Sequence, residues 1–366
     1  MNVAIDARKL FDGGIGTYTR CLAEALVAHE PGVALTMLLA PGDIGRVRWP
    51  GAVAERPVRA GKYGFAEHWR VPAAASAAGA ALLHEPHYTL PLGWNGPAVV
   101  TIHDLIHLCF PQFFPPGAAL YARAMAGAAA NRARIVCADS ECTRRDVVQR
   151  LGVPESKVRV TPLGVSPEFA PSTPEALAAF RAARRLPEGF VLYVGARKRH
   201  KNLSLLLKAL STMPREARPP LVLSGSPWEH DDPLAREAAA SGVAASVHFA
   251  GPTRGDGELR LLYGAAALYV QPSLYEGFGL PPLEAMACGT PVLSSNAGSL
   301  AEVLGDAAEL LPPRDPWAWA ERVRTMLADS ELRAKRIAQG VRHAASFRWE
   351  HTARLTRQAY DEALAG

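Results

Sequence analysis

Two glutamates, Glu276 and Glu284, stand with seven residues between them in the segment PSLYEGFGLPPLEAMACG. A carboxylate accepts hydrogen bonds from paired hydroxyl groups. Gly277 and Gly279 let backbone amides approach a ligand closely, and the helix that we predict from about Pro281 points its positive end toward an anion such as a diphosphate. This combination of groups is typical of a site for a nucleotide sugar.

The flanking residues predict the elements that position the two carboxylates. ALYVQPS, at 267–273, indicates a buried parallel strand, and LPPLEAMACG indicates a helix with prolines at its start and Gly289 at its end. We therefore expect Glu276 at the carboxyl end of a strand and Glu284 in the first helical turn. The structural alternatives are that Glu284 only complements the helix dipole and that Glu276 is a solvated loop residue.

The segment from Pro272 to Leu304 resembles the E-x7-E signature of retaining glycosyltransferases of the GT-B type, family 4. The resemblance spans essentially the whole chain, through IDARKLFDGGIGTYTR, TIHDLIHLCFP and HKNL. It implies that the first glutamate contacts hydroxyls of the transferred sugar and that the second contacts the nucleotide ribose. The residues that it assigns to the donor in this segment are Glu276, Gly277, Phe278, Gly279, Leu280 and Glu284.

A basic segment, VLYVGARKRHKNL, follows the first predicted strand of the second half of the chain. A departing diphosphate requires positive charge, which this segment supplies, although Lys198 and Arg199 also fit a solvated basic turn. The resemblance to the family's G-x-x-x-x-R-K-N segment makes Lys201 the main phosphate ligand. We assign Arg197 as the second cation. The chain departs from the family pattern here, because it has His200 where the family commonly has arginine directly before the lysine.

His103 and Asp104 come at the end of another predicted strand, in TIHDLIH. A histidine in that place is commonly a hydrogen-bonded structural residue. Here the segment resembles the one whose histidine reaches the transferred sugar near the anomeric centre, so we assign His103 to catalysis. Asp104 either orients the His103 ring or caps the next element.

The glycine loop DGGIGTYTR follows the first predicted strand and opens a helix, with Thr17 as a candidate cap. It could cradle phosphate or only make a tight turn. It resembles the family's GGIG loop near the donor phosphates and the acceptor, which assigns Gly14 and Gly16 to the donor. Thr19 stands where a dinucleotide fingerprint has its third glycine, and this disfavours the alternative of a nicotinamide-dependent oxidoreductase.

The sequence has no D-x-D motif for a metal ion. Asp231 and Asp232 precede Pro233 and fit a helix N-cap with proline in the first turn better than a metal site. We therefore expect a metal-independent enzyme without a cofactor, in which positive side chains and helix ends neutralise the diphosphate.

Two segments concern the acceptor. Residues 46–70 carry six basic and two acidic side chains with four interleaved aromatic residues, which fits an anionic lipid surface, a sugar acceptor or a solvated loop. HEPHYTLPL, at 84–92, ends a predicted strand, so His87 and Tyr88 are candidates for the acceptor pocket.

The chain has 366 residues, of which 49% are hydrophobic, and strand and helix patterns alternate in both halves. We predict an α/β protein with two Rossmann-like doubly wound domains that face a central cleft, where ligands bind in open α/β sheets. The domains are 1–170, for the acceptor, and 171–348, for the nucleotide sugar, joined by the proline-rich stretch 161–176. By resemblance, a last helix within 349–366 returns to the first domain. The predicted strands are 3–8, 34–39, 81–86, 98–104, 134–140, 158–164, 190–195, 220–225, 247–252, 267–273, 291–296 and 308–313.

Composition sets the remaining limits. No run approaches the roughly 18 apolar residues that span a bilayer, and MNVAIDARKL does not fit a secretory signal, so we expect a cytoplasmic protein. Its five cysteines are scattered and its net charge of +5 suits an anionic substrate or an anionic membrane face. We predict transfer of a hexose from a nucleoside diphosphate sugar, with GDP-mannose favoured, to a glycan or lipid-linked acceptor and not to nucleic acid. A protein that binds sugar nucleotides or glycans without turnover remains a further alternative.

Overall fold

The computed structural model describes residues 1–225 and 232–366. The chain forms two compact units, of which one contains Met1–Gly164 and Arg348–Gly366 and the other contains Val165–Phe347. Each unit is a parallel sheet with helices around it, which confirms the predicted fold class of two Rossmann-like domains.

The sheet of the first unit has seven parallel strands in the order β3-β2-β1-β4-β5-β6-β7. Its strands are β1 Asn2–Asp6, β2 Ala34–Leu39, β3 Val53–Pro57, β4 Leu82–Glu85, β5 Ala98–Ile102, β6 Ile135–Ala138 and β7 Val158–Val160. Its helices before the second unit are α1 Gly13–His29, α2 Glu67–Ala77, α3 Ile106–Cys109, α4 Ala118–Arg132 and α5 Glu141–Leu151. Every residue of β4, β5 and β6 is buried, as expected for parallel strands covered on both faces.

The described part of the second unit has six parallel strands in the order β10-β9-β8-β11-β12-β13. Its strands are β8 Val191–Val194, β9 Leu221–Ser224, β10 Val247–Gly251, β11 Leu268–Gln271, β12 Val292–Ser295 and β13 Glu309–Leu311. Its helices are α6 Pro174–Arg184, α7 Leu203–Thr212, α8 Pro233–Ala240, α9 Asp256–Ala265, α10 Leu280–Ala287, α11 Leu300–Leu304, α12 Pro316–Ala328 and α13 Ser330–Ala344. All six strands that the sequence predicts for this half are present.

The last helix, α14 Trp349–Ala365, belongs to the first unit and packs on α1. Its Tyr360 hydroxyl is hydrogen-bonded to Nδ1 of the buried His84 at 2.7 Å. A side chain at Gly164 would place its Cβ 2.1 Å from the backbone nitrogen of Trp349. The chain therefore needs glycine where the first part of this unit meets its returning helix.

The structure divides the chain after Gly164, six residues before the boundary that the sequence suggested at 170. The backbone N–H of Val165 donates to the carbonyl of Phe347, and the ring of Phe169 lies 6.0 Å from that of Tyr263. Residues from Val165 onward therefore pack with the second unit.

The basic aromatic stretch 46–70 is not simply a loop, because it contains β3 and the first residues of α2. Strand β3 pairs with β2 at the edge of the sheet and has no fully buried residue, which is why an alternation of apolar residues is lacking in its sequence. Glu67 at the start of α2 is buried, whereas Phe65 and Trp69 are exposed.

Candidate active site

Glu276 lies just beyond β11, as predicted, and the ammonium group of Lys201 contacts both oxygens of its carboxylate. The Nζ of Lys201 donates to Oε1 and to Oε2, each at 2.8 Å. Oε1 also accepts hydrogen bonds from Gln271 Nε2 at 2.8 Å and from Ser273 Oγ at 2.6 Å. The side chain therefore has a fixed orientation before any ligand binds.

The surroundings keep the partly buried Glu276 ionised. Burial alone would raise the pKa of this carboxyl, but the charge of Lys201 and the hydrogen bonds from Lys201 and Ser273 outweigh burial and lower it. Glu276 is thus a charged acceptor at the carboxyl edge of the second sheet.

The backbone around Glu276 is held by the turn that precedes α11. Ser299 Oγ donates to the carbonyls of Glu276 and Phe278, at 3.0 and 2.9 Å. Gly298 has a φ of +62°, and a Cβ there would lie 2.7 Å from the carbonyl oxygen of Glu276. Glycine is needed at 298 because this turn packs directly against the glutamate loop.

Glu284 lies on α10, but not in its first turn. The helix begins at Leu280, so Glu284 is its fifth residue, and the sequence placed it too near the helix start. Tyr263 donates its hydroxyl hydrogen to Oε2 of Glu284 at 2.8 Å. Burial raises the pKa of Glu284 to about 7, although the Tyr263 hydrogen bond opposes the shift. Near neutral pH this carboxyl lies between its protonated and ionised forms.

The residues between the two glutamates differ in their structural roles. Gly279 is the N-cap of α10 with a φ of +99°, and a Cβ there would lie 2.6 Å from Cδ2 of Leu300. The ring of Phe278 is buried and lies 5.9 Å from that of Phe347, so it belongs to the core. The donor roles of Gly277, Phe278, Gly279 and Leu280 stay predictions. Because the ring of Phe278 is buried, the predicted donor contact of this residue concerns its backbone.

Lys201 ends a short 3-10 turn, Arg199–Lys201, after β8. The next residue, Asn202, has a φ of +58°, and its Nδ2 donates to the carbonyls of Pro272 and Pro313, at 2.9 and 2.7 Å. Asn202 thereby fixes the basic loop to the ends of β11 and β13. This role is not evident from the sequence, although the asparagine stands directly after the predicted phosphate ligand.

Arg197 does not share the Lys201–Glu276 ion pair. Its Nη2 lies 2.6 Å from Oδ2 of Asp232, and its guanidinium lies 5.6 Å from the ring centre of Phe249. A cavity of about 500 Å³ is bordered by Arg197, Lys198 and Arg199 on one side and by α8 on the other. The role of Arg197 as second phosphate cation stays a prediction.

Asp232 caps α8, since its Oδ1 accepts a hydrogen bond from the Leu234 amide at 2.9 Å and Pro233 follows it. Its neighbour Asp231 lies outside the described residues. Within 1–225 and 232–366, no group of three or more His, Cys, Asp or Glu side chains is arranged to hold a metal ion.

In the first unit, His103 follows β5 and is held at both ring nitrogens. Nδ1 lies 2.7 Å from Oδ2 of Asp139, and Nε2 lies 3.1 Å from the carbonyl oxygen of Pro86. Burial alone would lower the pKa of His103, but the charge and hydrogen bond of Asp139 outweigh burial and raise it. Asp104 accepts a hydrogen bond at 3.0 Å from the amide of Ile106, the first residue of α3, and so contacts the start of the next element without being its N-cap.

The glycine loop differs from expectation at its start. Helix α1 begins at Gly13, and Thr17 donates back to the Gly13 carbonyl at 3.3 Å instead of capping the helix. A Cβ at Gly16 would lie 2.3 Å from the carbonyl oxygen of Leu10, so close packing accounts for that glycine. A Cβ at Gly14 would have no atom within 4 Å among the described residues. Donor contacts of Gly14 and Gly16 stay predictions.

Comparison with known proteins assigns the chain to a family. Glycosyltransferase Family 4 matches residues 12–169, and Glycosyl transferases group 1 matches residues 178–343. The O-antigen chain mannosyltransferase B of Escherichia coli is 33% identical over 282 residues, which are 76% of this chain and 74% of that protein. The chain belongs to glycosyltransferase family 4. This family 4 enzyme is a hexosyltransferase, which decides against the oxidoreductase alternative.

Other relatives of this glycosyltransferase agree in class. A D-inositol 3-phosphate glycosyltransferase of Salinispora arenicola is 33% identical over 296 residues, 74% of this chain and 65% of that protein. Among solved structures, the sucrose-phosphate synthase of Thermosynechococcus elongatus has a TM-score of 0.81 at 25% identity, over 100% of this chain and 99% of that one. Anabaena HepE in complex with UDP and glucose has a TM-score of 0.79 at 18% identity, over 99% of each chain. These likenesses confirm the GT-B fold class.

A helix that crosses a membrane must be both long enough and apolar enough to span the bilayer. Among the described residues, no helix meets both requirements.

Proposed function

We propose that this glycosyltransferase is a retaining, metal-independent enzyme that transfers a hexose from a nucleoside diphosphate sugar to a hydroxyl of a glycan or lipid-linked acceptor. Mannose is the favoured sugar and GDP-mannose the favoured donor. Support for mannose comes from the relative named O-antigen chain mannosyltransferase B and from the Escherichia coli relatives named serotype-specific mannosyltransferase WbdA. Other relatives are named D-inositol 3-phosphate glycosyltransferase, a name that does not include mannose, so the donor is tested directly.

The observation that carries the proposal is the paired geometry of Glu276 and Lys201. Lys201 Nζ lies 2.8 Å from both carboxylate oxygens of Glu276, and an ammonium has three N–H donors, so at least one remains for a phosphate oxygen. One lysine can therefore hold the carboxylate that we assign to the sugar and also stabilise negative charge on the leaving diphosphate. This arrangement requires no metal ion for charge neutralisation.

Glu284 supports the nucleotide part of the proposal. It is buried on α10 and its carboxyl has one hydrogen bond from Tyr263, so it retains capacity to accept hydrogen bonds from a ribose diol. A diol donates two hydrogen bonds and favours the ionised carboxylate. We infer that donor binding shifts Glu284 to its charged form.

The proposal includes peripheral contact with an anionic membrane through residues 46–70. Phe65 and Trp69 are 82% and 56% exposed, and their ring centres lie 5.6 Å apart. Exposed aromatic side chains flanked by basic residues suit the interface of an anionic bilayer. A lipid-linked acceptor would be presented at the same surface.

A panel of nucleoside diphosphate sugars, tested by thermal unfolding of the full chain, examines the proposed donor. A ligand at 100 times its dissociation constant stabilises the folded state by about 2.7 kcal/mol. We expect GDP-mannose to give the largest shift, and chromatography of the reaction mixture to show release of its nucleoside diphosphate. A larger shift with a UDP-sugar would refute the choice of donor, and binding without any turnover would favour a non-catalytic binding protein.

A further inference from the structure

A cluster of buried charged and polar side chains lies at the carboxyl ends of β1 and β4 in the first unit. Arg8 joins two of its carboxylates, since Nε lies 2.9 Å from Oδ1 of Asp6 and Nη2 lies 3.1 Å from Oε2 of Glu67. Arg8, Asp6 and Glu67 thus provide one another with hydrogen bonds and opposite charges, which is a structural role. They do not account for the other members of the cluster.

Three further side chains of the cluster have polar atoms without hydrogen bonds. The atoms are Lys9 Nζ, Glu85 Oε1 and His87 Nδ1, each of which is buried and has no hydrogen-bond partner in the described part of the chain. Glu85 is only 2% exposed and His87 only 8%. An unpaired buried polar group costs about 1–3 kcal/mol, so three in one place indicate a requirement other than stability.

Two of the three groups, those of Lys9 and His87, lie against one aromatic side chain. Lys9 Nζ is 4.0 Å from the ring centre of Tyr63, whose hydroxyl is 3.4 Å from Nε2 of His87. Tyr63 has a φ of +57°, which is unusual for a residue other than glycine, and it stands between Gly61 and Gly64. This conformation holds the half-exposed tyrosine over the cluster.

The electrostatic state of the cluster suits hydroxyl groups. Burial lowers the pKa of Lys9 to about 8, although Asp6 and Glu85 oppose the shift, and burial lowers the pKa of His87 to about 2. Burial raises the pKa of Glu85 well above its usual value. The site therefore combines an ammonium donor, a neutral imidazole and a carboxyl that is costly to ionise.

We propose that Lys9, Glu85 and His87 bind hydroxyl groups of a sugar acceptor, with Tyr63 covering Lys9 and His87. This inference rests on the proposed function, because it names the residues that would recognise the acceptor of that reaction. A hydroxyl accepts a hydrogen bond from Lys9 and donates one to Glu85 or to Nδ1 of His87, so two adjacent sugar hydroxyls satisfy all three groups.

Phosphate is a poorer match for this cluster than a sugar. Arg8 is already bound to Asp6 and Glu67, so its charge is not available to an anion, and the two carboxylates themselves repel one. A buried water molecule could also satisfy the unpaired atoms. In that case the cluster would be structural and would not bind sugars.

The test compares a double variant, Lys9→Met with Glu85→Met, with the single variant Lys157→Met in the same unit. Lys157 donates to the carbonyl of Asn131 at 2.6 Å and is partly buried, so it serves as the matched control. Saturation-transfer NMR with methyl α-D-mannopyranoside and other methyl glycosides measures sugar binding to the full chain. Inorganic phosphate is the competing probe, and thermal unfolding reports stability.

We expect the wild type and Lys157→Met to bind a methyl glycoside and the double variant to lose at least tenfold in affinity. Because the double variant replaces unpaired polar groups by apolar ones of similar volume, its unfolding temperature should equal or exceed that of the control. Unchanged sugar binding, wild-type binding of phosphate alone, or no wild-type binding to any glycoside would overturn the inference. A lower unfolding temperature of the double variant would also overturn it by marking the cluster as structural.

Nucleoside diphosphate binding, measured by calorimetry on the same proteins, separates this inference from the proposed function. Both variants should bind GDP or UDP as the wild type does. The wild type could bind a glycoside but no nucleoside diphosphate, while the double variant loses the glycoside. This outcome would refute the proposed donor chemistry but would support the sugar site.

Discussion

The ammonium of Lys201 lies 2.8 Å from both carboxylate oxygens of Glu276. Among the described residues, Oε1 of this carboxylate accepts three hydrogen bonds and Oε2 accepts one. Oε2 therefore has the larger remaining capacity to accept a hydrogen bond from a sugar hydroxyl. The ion pair joins the two functions of the proposed donor site, which are contact with the sugar and neutralisation of the diphosphate.

The protonation of Glu284 should make the stability of the ligand-free enzyme depend on pH. Its pKa is about 7 in the folded chain against an ordinary value of 4.5, so the folded state holds this proton more tightly than the unfolded state. Protonation of Glu284 therefore contributes up to about 3 kcal/mol to the free energy of unfolding. This contribution is fully present below about pH 4.5 and is lost as pH rises to about 7.

Urea unfolding at pH 5 and pH 8 measures that dependence. Glu284→Gln should lose less stability than the wild type between these values, because glutamine does not ionise. Equal losses in both proteins would show that Glu284 does not titrate in this range.

Donor binding should be linked to the same proton. If the ribose hydroxyls bind the ionised Glu284, nucleoside diphosphate affinity should rise as pH increases through about 7, and binding below pH 7 should release a proton. Calorimetry in two buffers of different ionisation enthalpy counts the proton. Proton uptake instead of release would contradict the assignment of Glu284 to the ribose.

Asp139 should position the His103 ring. Asp139→Asn keeps the side-chain shape but removes the charge that raises the His103 pKa, so that pKa should fall and turnover should decrease with donor affinity unchanged. The stability from this pair is full below the unfolded His pKa of about 6.5 and is lost as pH rises through the folded value. The variant should therefore be destabilised more at pH 5 than at pH 9.

NMR titration of His103 in Asp139→Asn and in Asp104→Asn provides the comparison. Asp104 accepts a hydrogen bond from the first amide of α3 and contributes less to the His103 pKa than Asp139 does, so its variant should shift that pKa less. A larger shift from Asp104→Asn would reverse the two roles.

Much of the fold follows from the sequence because buried parallel strands are runs of apolar residues. Twelve of the strands were predicted in this way, whereas the edge strand β3 was missed because its sequence, VAERP, lacks such a run. The partners of the site residues were harder to find. Asp139 is 36 residues from His103, and only the neighbouring positions of β5 and β6 bring their carboxyl ends together.

Pairing of charges was the least predictable feature of the site. Glu276, Lys201 and Arg197 are separate candidates in the sequence, but the structure joins Lys201 to Glu276 and Arg197 to Asp232. Loop geometry decides these partners, through Asn202 in a left-handed conformation and through the cap of α8. Spacing in the sequence carries no information about either contact.

Turnover should persist in excess EDTA, because we assign neutralisation of the diphosphate to Lys201, to Arg197 and to helix N-termini. The measurement is release of nucleoside diphosphate before and after chelation. Loss of more than about 90% of the activity, restored by added Mg²⁺ or Mn²⁺, would refute metal independence.

Binding to anionic vesicles should depend on Phe65 and Trp69. Replacing both by alanine should reduce partition to phosphatidylglycerol vesicles, whereas Trp317→Ala should not, although Trp317 is 68% exposed in the second unit. Partition should also weaken as salt shortens the Debye length to about 8 Å at physiological ionic strength. Equal partition to neutral and anionic vesicles would exclude the proposed surface.

The two glutamates provide the most direct test of the central claim. Glu276→Gln should lower turnover strongly with free nucleoside diphosphate binding nearly unchanged, because its charge acts on the sugar as the ring becomes positive. Glu284→Gln should weaken binding of donor and of nucleoside diphosphate alike, by roughly 1.5–3 kcal/mol. Calorimetry with the nucleoside diphosphate beside turnover of each variant is the measurement. Loss of nucleotide affinity in Glu276→Gln but not in Glu284→Gln would reverse the assignments, and no effect of either change would contradict the donor site itself.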